Sequence, residues 1–108
     1  MIVHYKSLEK SDFIQKNLAE KWEKVLAKFP LVHNHHPHIT VEMLNSPKHA
    51  GKDWYRIKFS LQDEYYGTLV QEAEGDNIYA AIEEVFHHLP QRLNKIGDKK
   101  RVKRRKSA

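Results

Sequence analysis

Trp54-Tyr55-Arg56-Ile57-Lys58-Phe59-Ser60-Leu61 places an apolar residue at every second position. Successive side chains on a strand point to opposite faces, so Tyr55, Ile57, Phe59 and Leu61 share one face. Trp54, Arg56, Lys58 and Ser60 share the other. The stretch therefore reads as a strand with one face on a core. Towards the N-terminus, Asn45 to Asp53 carries Pro47 and Gly51 and is expected to be a loop. Before it, Ile39, Val41 and Met43 alternate with Thr40 and Glu42 as a second strand. Towards the C-terminus, Asp63 to Gly67 is the expected turn, and Thr68 to Glu74 a more polar strand. Ile2 to Lys6 adds a short strand at the start.

Two segments switch to a helical period. Ile14, Leu18, Trp22, Val25 and Phe29 form one apolar stripe. Ser11 is placed to cap it, Asp12 suits the positive end of the helix dipole, and Pro30 closes it. Ile78, Ile82, Val85, Leu89, Leu93 and Ile96 form a second stripe, with Asp76 as its candidate cap. The phase survives Pro90, which predicts one kinked helix rather than two. Gly97 is the expected end of order.

The element order is thus β-α-β-β-β-α. A four-stranded sheet with two helices packed on one face satisfies both stripes and the alternation, giving an α+β fold like that of double-stranded-RNA-binding domains. The first strand–helix–strand unit is expected to be parallel with a right-handed crossover, and the later strands antiparallel. Residues 1–98 form the single domain and 99–108 a disordered basic tail.

Charge points to a partner. Lys99 to Lys106 holds seven basic residues in eight, and the whole chain has a formal net charge of +5. Without that run, 12 basic residues meet 14 acidic ones, a net of −2. A dense cationic run neutralises phosphates and releases their counterions, which favours an extended polyanion. A merely solvated terminus is the plainer alternative. There is no cysteine, so disulfides, thiol chemistry and cysteine-ligated metals are excluded. No stretch has the length and apolarity of a signal peptide or membrane span, and a soluble cytoplasmic protein is expected.

Catalytic motifs are missing from the sequence. It has no phosphate-binding glycine loop, no nucleophile with a plausible base and no carboxylate pair with an evident shared site. Asp63-Glu64 and Glu83-Glu84 read as decoration of a turn and of an exposed helix face. No enzyme and no cofactor are expected. His33, His35, His36 and His38 lie within six residues, with His49 beyond, and imidazoles suit zinc, copper or nickel. No carboxylate or thiol is spaced to complete a tetrahedron, so surface histidines are the preferred reading and no metal is assigned. Their protonation near pH 6 would add positive charge beside an RNA. Trp54, Arg56 and Lys58 interleave an aromatic with cations, which suits base stacking and equally suits a solvated sheet face.

The junction Glu74-Gly75-Asp76-Asn77-Ile78-Tyr79-Ala80-Ala81-Ile82 resembles the strand-to-helix junction of the ribosome hibernation-promoting factors, also called sigma-54 modulation or ribosome-associated inhibitor proteins. Leu89, Leu93, Asn94-Lys95 and Asp98-Lys99 fall in the register of that family's second helix. Ser11, Leu18, Lys21, Trp22, Lys24 and Phe29 are similar to its first. Ala80 and Ala81 let the first turn of the second helix pack close to the sheet, and Tyr79 is expected to put its ring on the core. His87-His88, Pro90 and Gln91-Arg92 depart from the pattern and leave the second helix less basic.

The resemblance, to the short form, implies a translation inhibitor that binds the small ribosomal subunit and whole ribosomes through ribosomal RNA. It would occupy the channel for messenger and transfer RNA and silence idle ribosomes under stress, as a cytoplasmic protein, monomeric when free. Carried over by position, Lys21 and Lys24 match basic sites of the first helix, and Lys95 and Lys99 those of the second. With Lys28, Arg92, Lys100, Arg101, Lys103, Arg104 and Arg105 they make the candidate RNA-binding set. The alternatives are a general module for structured RNA and a His-rich metal-binding or interaction protein.

Overall fold

The computed structural model describes residues 1–44 and 53–107. The elements are β1 (Ile2–Lys6), α1 (Asp12–Lys28), β2 (His38–Leu44), β3 (Trp54–Asp63), β4 (Gly67–Gly75) and α2 (Ile78–Ser107). This is the expected order and an α+β fold. The expected loop between β2 and β3, with His49, lies outside the described residues apart from Asp53.

The sheet order is β1-β2-β3-β4. β1 runs parallel to β2, and the other two pairings are antiparallel. Ile39 stands opposite Phe59, Val41 opposite Ile57, and Leu61 opposite Leu69, so the alternation of each strand adds to one apolar face. Both helices cover that face. Trp22 of α1 and Phe86 of α2 meet over Phe59, with ring centroids 5.5 and 6.0 Å from it. Phe59 is wholly buried. Truncating it to alanine removes the shared floor of both helices, at a cost of about 3–5 kcal/mol.

α1 forms as its sequence dictates. The Ser11 hydroxyl accepts from the Ile14 N–H at 3.3 Å, and Ile14, Leu18, Trp22 and Val25 are buried. The Phe29 N–H donates to the Val25 carbonyl and closes the last turn before Pro30.

α2 differs from expectation in three places. Its cap is Asn77, not Asp76: the Asn77 Oδ1 accepts from the Tyr79 and Ala80 N–H groups at 2.9 and 3.2 Å. Only the residue directly before the helix can aim a short side chain at those donors. Tyr79 does not turn its ring into the core. It sits one residue, about 100° of helix, beyond the inward-facing Ile78, and it is 45% exposed.

The third difference concerns the tail. α2 does not stop at Gly97 but runs through it to Ser107. A single interior glycine costs only about 1 kcal/mol, and lysine and arginine are good helix formers. Cations at a helix C-terminus also complement its dipole. The Lys100 ammonium donates to the Tyr65 carbonyl and lies 4.2 Å from the centroid of the Tyr65 ring, tying the extension to the β3–β4 turn. Pro90 lies inside the same single helix, as the unbroken apolar phase requires.

Asp63 is not turn decoration. It is 6% exposed, and its carboxylate accepts four backbone N–H groups. Oδ1 takes those of His33 and Asn34 at 2.7 and 2.8 Å. Oδ2 takes those of Tyr65 and Tyr66 at 2.9 and 3.0 Å. Burial acts to raise its pKa, but these four donors outweigh burial and hold it below the ordinary carboxylate value. Asp63 thus binds the segment after α1 to the β3–β4 turn. Gly67, at φ +78°, supplies the left-handed residue that lets β4 leave that turn.

Candidate nucleic-acid interface

The two helices lie side by side and parallel. Lys21 pairs with Glu83, and one turn onwards Lys24 and Lys28 flank a groove with His87 and Pro90. The groove has a volume of about 270 Å³ and an apolar floor of Val25 and Phe86. Its walls hold three lysines and one carboxylate.

The candidate cations fall into three groups. Lys24, Lys28, Lys95 and Lys99 are exposed, and no ion pair among the described residues holds them. Lys24 and Lys28 are four apart on α1. Lys95 and Lys99 are four apart on α2, so each pair shares a helix face. Lys21, Arg92, Lys100 and Arg101 are already engaged. Lys21 binds Glu83 and Arg101 binds Asp98. Arg92 donates to the Val70 carbonyl and Lys100 to that of Tyr65. Lys103, Arg104 and Arg105 continue α2, and their side chains lie outside the described residues.

His87 also lines the groove and was not among the candidate cations. The sequence marks it only as a departure from the resembled pattern; the fold brings it beside Lys24 and Lys28.

The open sheet face is built differently. Lys6 stands opposite Glu42, and Lys58 opposite Glu72. Arg56 lies between Glu42 and Glu74, 3.4 and 3.8 Å from their oxygens. The Trp54 indole N–H donates to Glu74 at 3.2 Å. Trp54 and Arg56 are therefore tied to carboxylates of the neighbouring strands, and Lys58 faces Glu72 across the register.

The histidines are dispersed into separate tasks. The His33 N–H serves Asp63, the His35 ring contacts the Val32 carbonyl at 3.1 Å, and His38 stacks on His4 with centroids 5.5 Å apart. No group of three or more metal-ligating side chains occurs among the described residues. No helix among them is long and apolar enough to cross a membrane.

Residues 1–101 match the profile of the family described as sigma 54 modulation protein / S30EA ribosomal protein. The chain belongs to this family. It is a family of ribosome-associated modulation proteins and not one known for enzymes. No curated protein sequence matches the chain. Among solved structures, a ribosomal subunit interface protein from Coxiella burnetii superposes with a TM-score of 0.69 at 17% identity. The match covers 91% of this chain and 99% of the other. The N-terminal domain of Protein Y from Thermus thermophilus gives 0.61 at 17% identity, covering 88% and 98%. These likenesses establish that the family fold extends over nearly all of the chain, both helices included.

Proposed function

We propose that the protein binds the small ribosomal subunit and whole ribosomes through the basic surface of its helical layer. It occupies the channel for messenger and transfer RNA and silences idle ribosomes under stress, as a cytoplasmic monomer. The observation that carries this reading is the pairing pattern of the cations. Among the described residues, Lys24, Lys28, Lys95 and Lys99 form no ion pair with a carboxylate, so meeting a phosphate breaks no pair seen there. Each such contact releases counterions from RNA and is independent of sequence, which suits a protein that must dock on ribosomal RNA. The helical extension to Ser107 adds further positive charge along the same element. Action is by occupation of space, with no bond made or broken.

Co-sedimentation with ribosomes on sucrose gradients tests the proposal. The expected result is stoichiometric migration with the small subunit and with whole ribosomes, reduced by excess messenger and transfer RNA. A Lys24→Gln/Lys28→Gln double variant is expected to bind more weakly, with a shallower dependence on salt. Protein that stays at the top of the gradient at physiological salt overturns it.

A further inference from the structure

A hollow lies where the C-terminal end of α1 and the α2 segment around Gly97 meet the β3–β4 turn. Its volume is about 370 Å³, within the range of about 300–1,000 Å³ typical of small-ligand sites. Phe29, Tyr65 and Tyr66 give it aromatic walls, and Leu31, half exposed, forms an apolar lip. Lys28 and Arg101 stand at its rim, and the Asn94 amide also lines it. No carboxylate is among its lining residues, whereas Glu83 lines the interhelical groove and Glu42 and Glu72 line the hollow on the open sheet face.

The walls are held in place before any ligand arrives. Asp63 fixes the backbone of Tyr65 and Tyr66, Lys100 lies over the Tyr65 ring, and Phe29 meets Tyr66 edge-on with centroids 6.4 Å apart. Such preorganisation lowers the cost of binding. Lys28 lines both this hollow and the interhelical groove, so a backbone tracking the groove arrives at the hollow.

We infer that this hollow is a binding site for one unpaired nucleotide of an RNA. The inference rests on the RNA-binding reading above and adds to it a feature that duplex RNA lacks. The base packs against the partly exposed Tyr65 and Leu31, its phosphates meet Lys28 and Arg101, and the Asn94 amide can donate to or accept from a base edge. Among the described residues Arg101 forms one ion pair, a surface pair with Asp98, which is weak enough to exchange for a phosphate. A base stacked within a duplex cannot enter, so the site selects a bulged, looped or terminal nucleotide.

The test uses the full chain, a hairpin RNA with a single-nucleotide bulge and its fully paired counterpart, with binding read by fluorescence anisotropy. Gly97→Leu fills the hollow: a Cβ at residue 97 meets no atom within 4 Å, and leucine is well suited to a helix. Leu31→Ala trims the exposed lip without entering the core. The wild-type protein is expected to bind the bulged RNA roughly tenfold more tightly, the scale of one base stacking on an aromatic side chain. Both variants are expected to lose that preference while keeping their affinity for the paired RNA.

A wild-type protein with no preference overturns the inference, as does a preference that survives in both variants. If the wild type still co-sediments with ribosomes in that case, the hollow alone has been misassigned. If it does not, the RNA-binding reading beneath it falls too. Displacement of the bulged RNA by micromolar free mononucleotide also overturns the assignment to RNA.

Discussion

The open sheet face and the helical layer both carry lysine and arginine, yet they use them in opposite ways. On the sheet, Arg56 sits between Glu42 and Glu74, and Lys6 and Lys58 stand across from Glu42 and Glu72. On the helices, Lys24, Lys28, Lys95 and Lys99 form no ion pair among the described residues, although Lys95 lines a hollow with Glu72 and Glu84. A count of basic residues treats the two faces alike. The cross-strand register separates them: Arg56 is paired with Glu42 and Glu74 and gives up those contacts to meet a phosphate, and Lys6 and Lys58 each face a carboxylate across the sheet.

Charge reversal breaks the comparison most sharply. Lys24→Glu/Lys28→Glu is expected to lower ribosome affinity by about two orders of magnitude at moderate salt, since two phosphate contacts turn repulsive. Arg56→Glu/Lys58→Glu, on the sheet, is expected to leave it within about threefold. Equal losses from the two variants, measured by co-sedimentation, would show that the sheet face also meets RNA.

Next in size is a carboxylate that belongs to neither surface. Asp63→Asn keeps the shape but sets an NH₂ group against two backbone N–H donors. A loss of about 3 kcal/mol in urea unfolding is expected, with the salt dependence of binding unchanged. The same group gives a pH signature. Its folded pKa lies below the unfolded value of about 3.9, so its stabilisation is complete above that value and is lost as pH falls through the folded pKa. The stabilities of wild type and Asp63→Asn are therefore expected to converge on acidification from pH 6 to pH 2. A constant gap over that range would show that Asp63 does not act through its charge.

The smallest effect tests the extension. Gly97→Ala meets no atom within 4 Å and is expected to stabilise α2 by about 1 kcal/mol. Slower amide exchange from residue 98 onwards is the measurement. Unchanged exchange there would show that Lys100 on Tyr65, and not helix propensity, sets the order of that segment.

Most of the fold was legible in the sequence because burial is periodic. Ile14, Leu18, Trp22 and Val25 declared α1, and the alternation from Trp54 to Leu61 declared β3. What escaped is what periodicity does not encode. Asp63 looks like any turn aspartate until the segment after α1 is brought to it from 30 residues away. Asp76 and Asn77 are both good caps by type, and only the position of the first helical turn chooses between them. Gly97 looked like a stop because the tertiary anchor beyond it, Lys100 on Tyr65, is a contact across 35 residues. The candidate cations were all visible as residue types. Which of them already had partners was not, since Lys21 finds Glu83 and Arg92 finds the Val70 carbonyl only after folding.

The parallel pairing of β1 with β2 also bears on how the chain assembles and reopens. β2, β3 and β4 form an antiparallel meander, whereas β1 joins at the edge only after α1 has been spanned, with Ile2 opposite His38. That closure requires the longest loop in the sheet, and its entropy must be met before any hydrogen bond rewards it. On this ground β1 is expected to dock late in folding and to be released before the meander in partial unfolding. Amide exchange is expected to be fastest in β1, with Phe59 at the centre reporting the global transition.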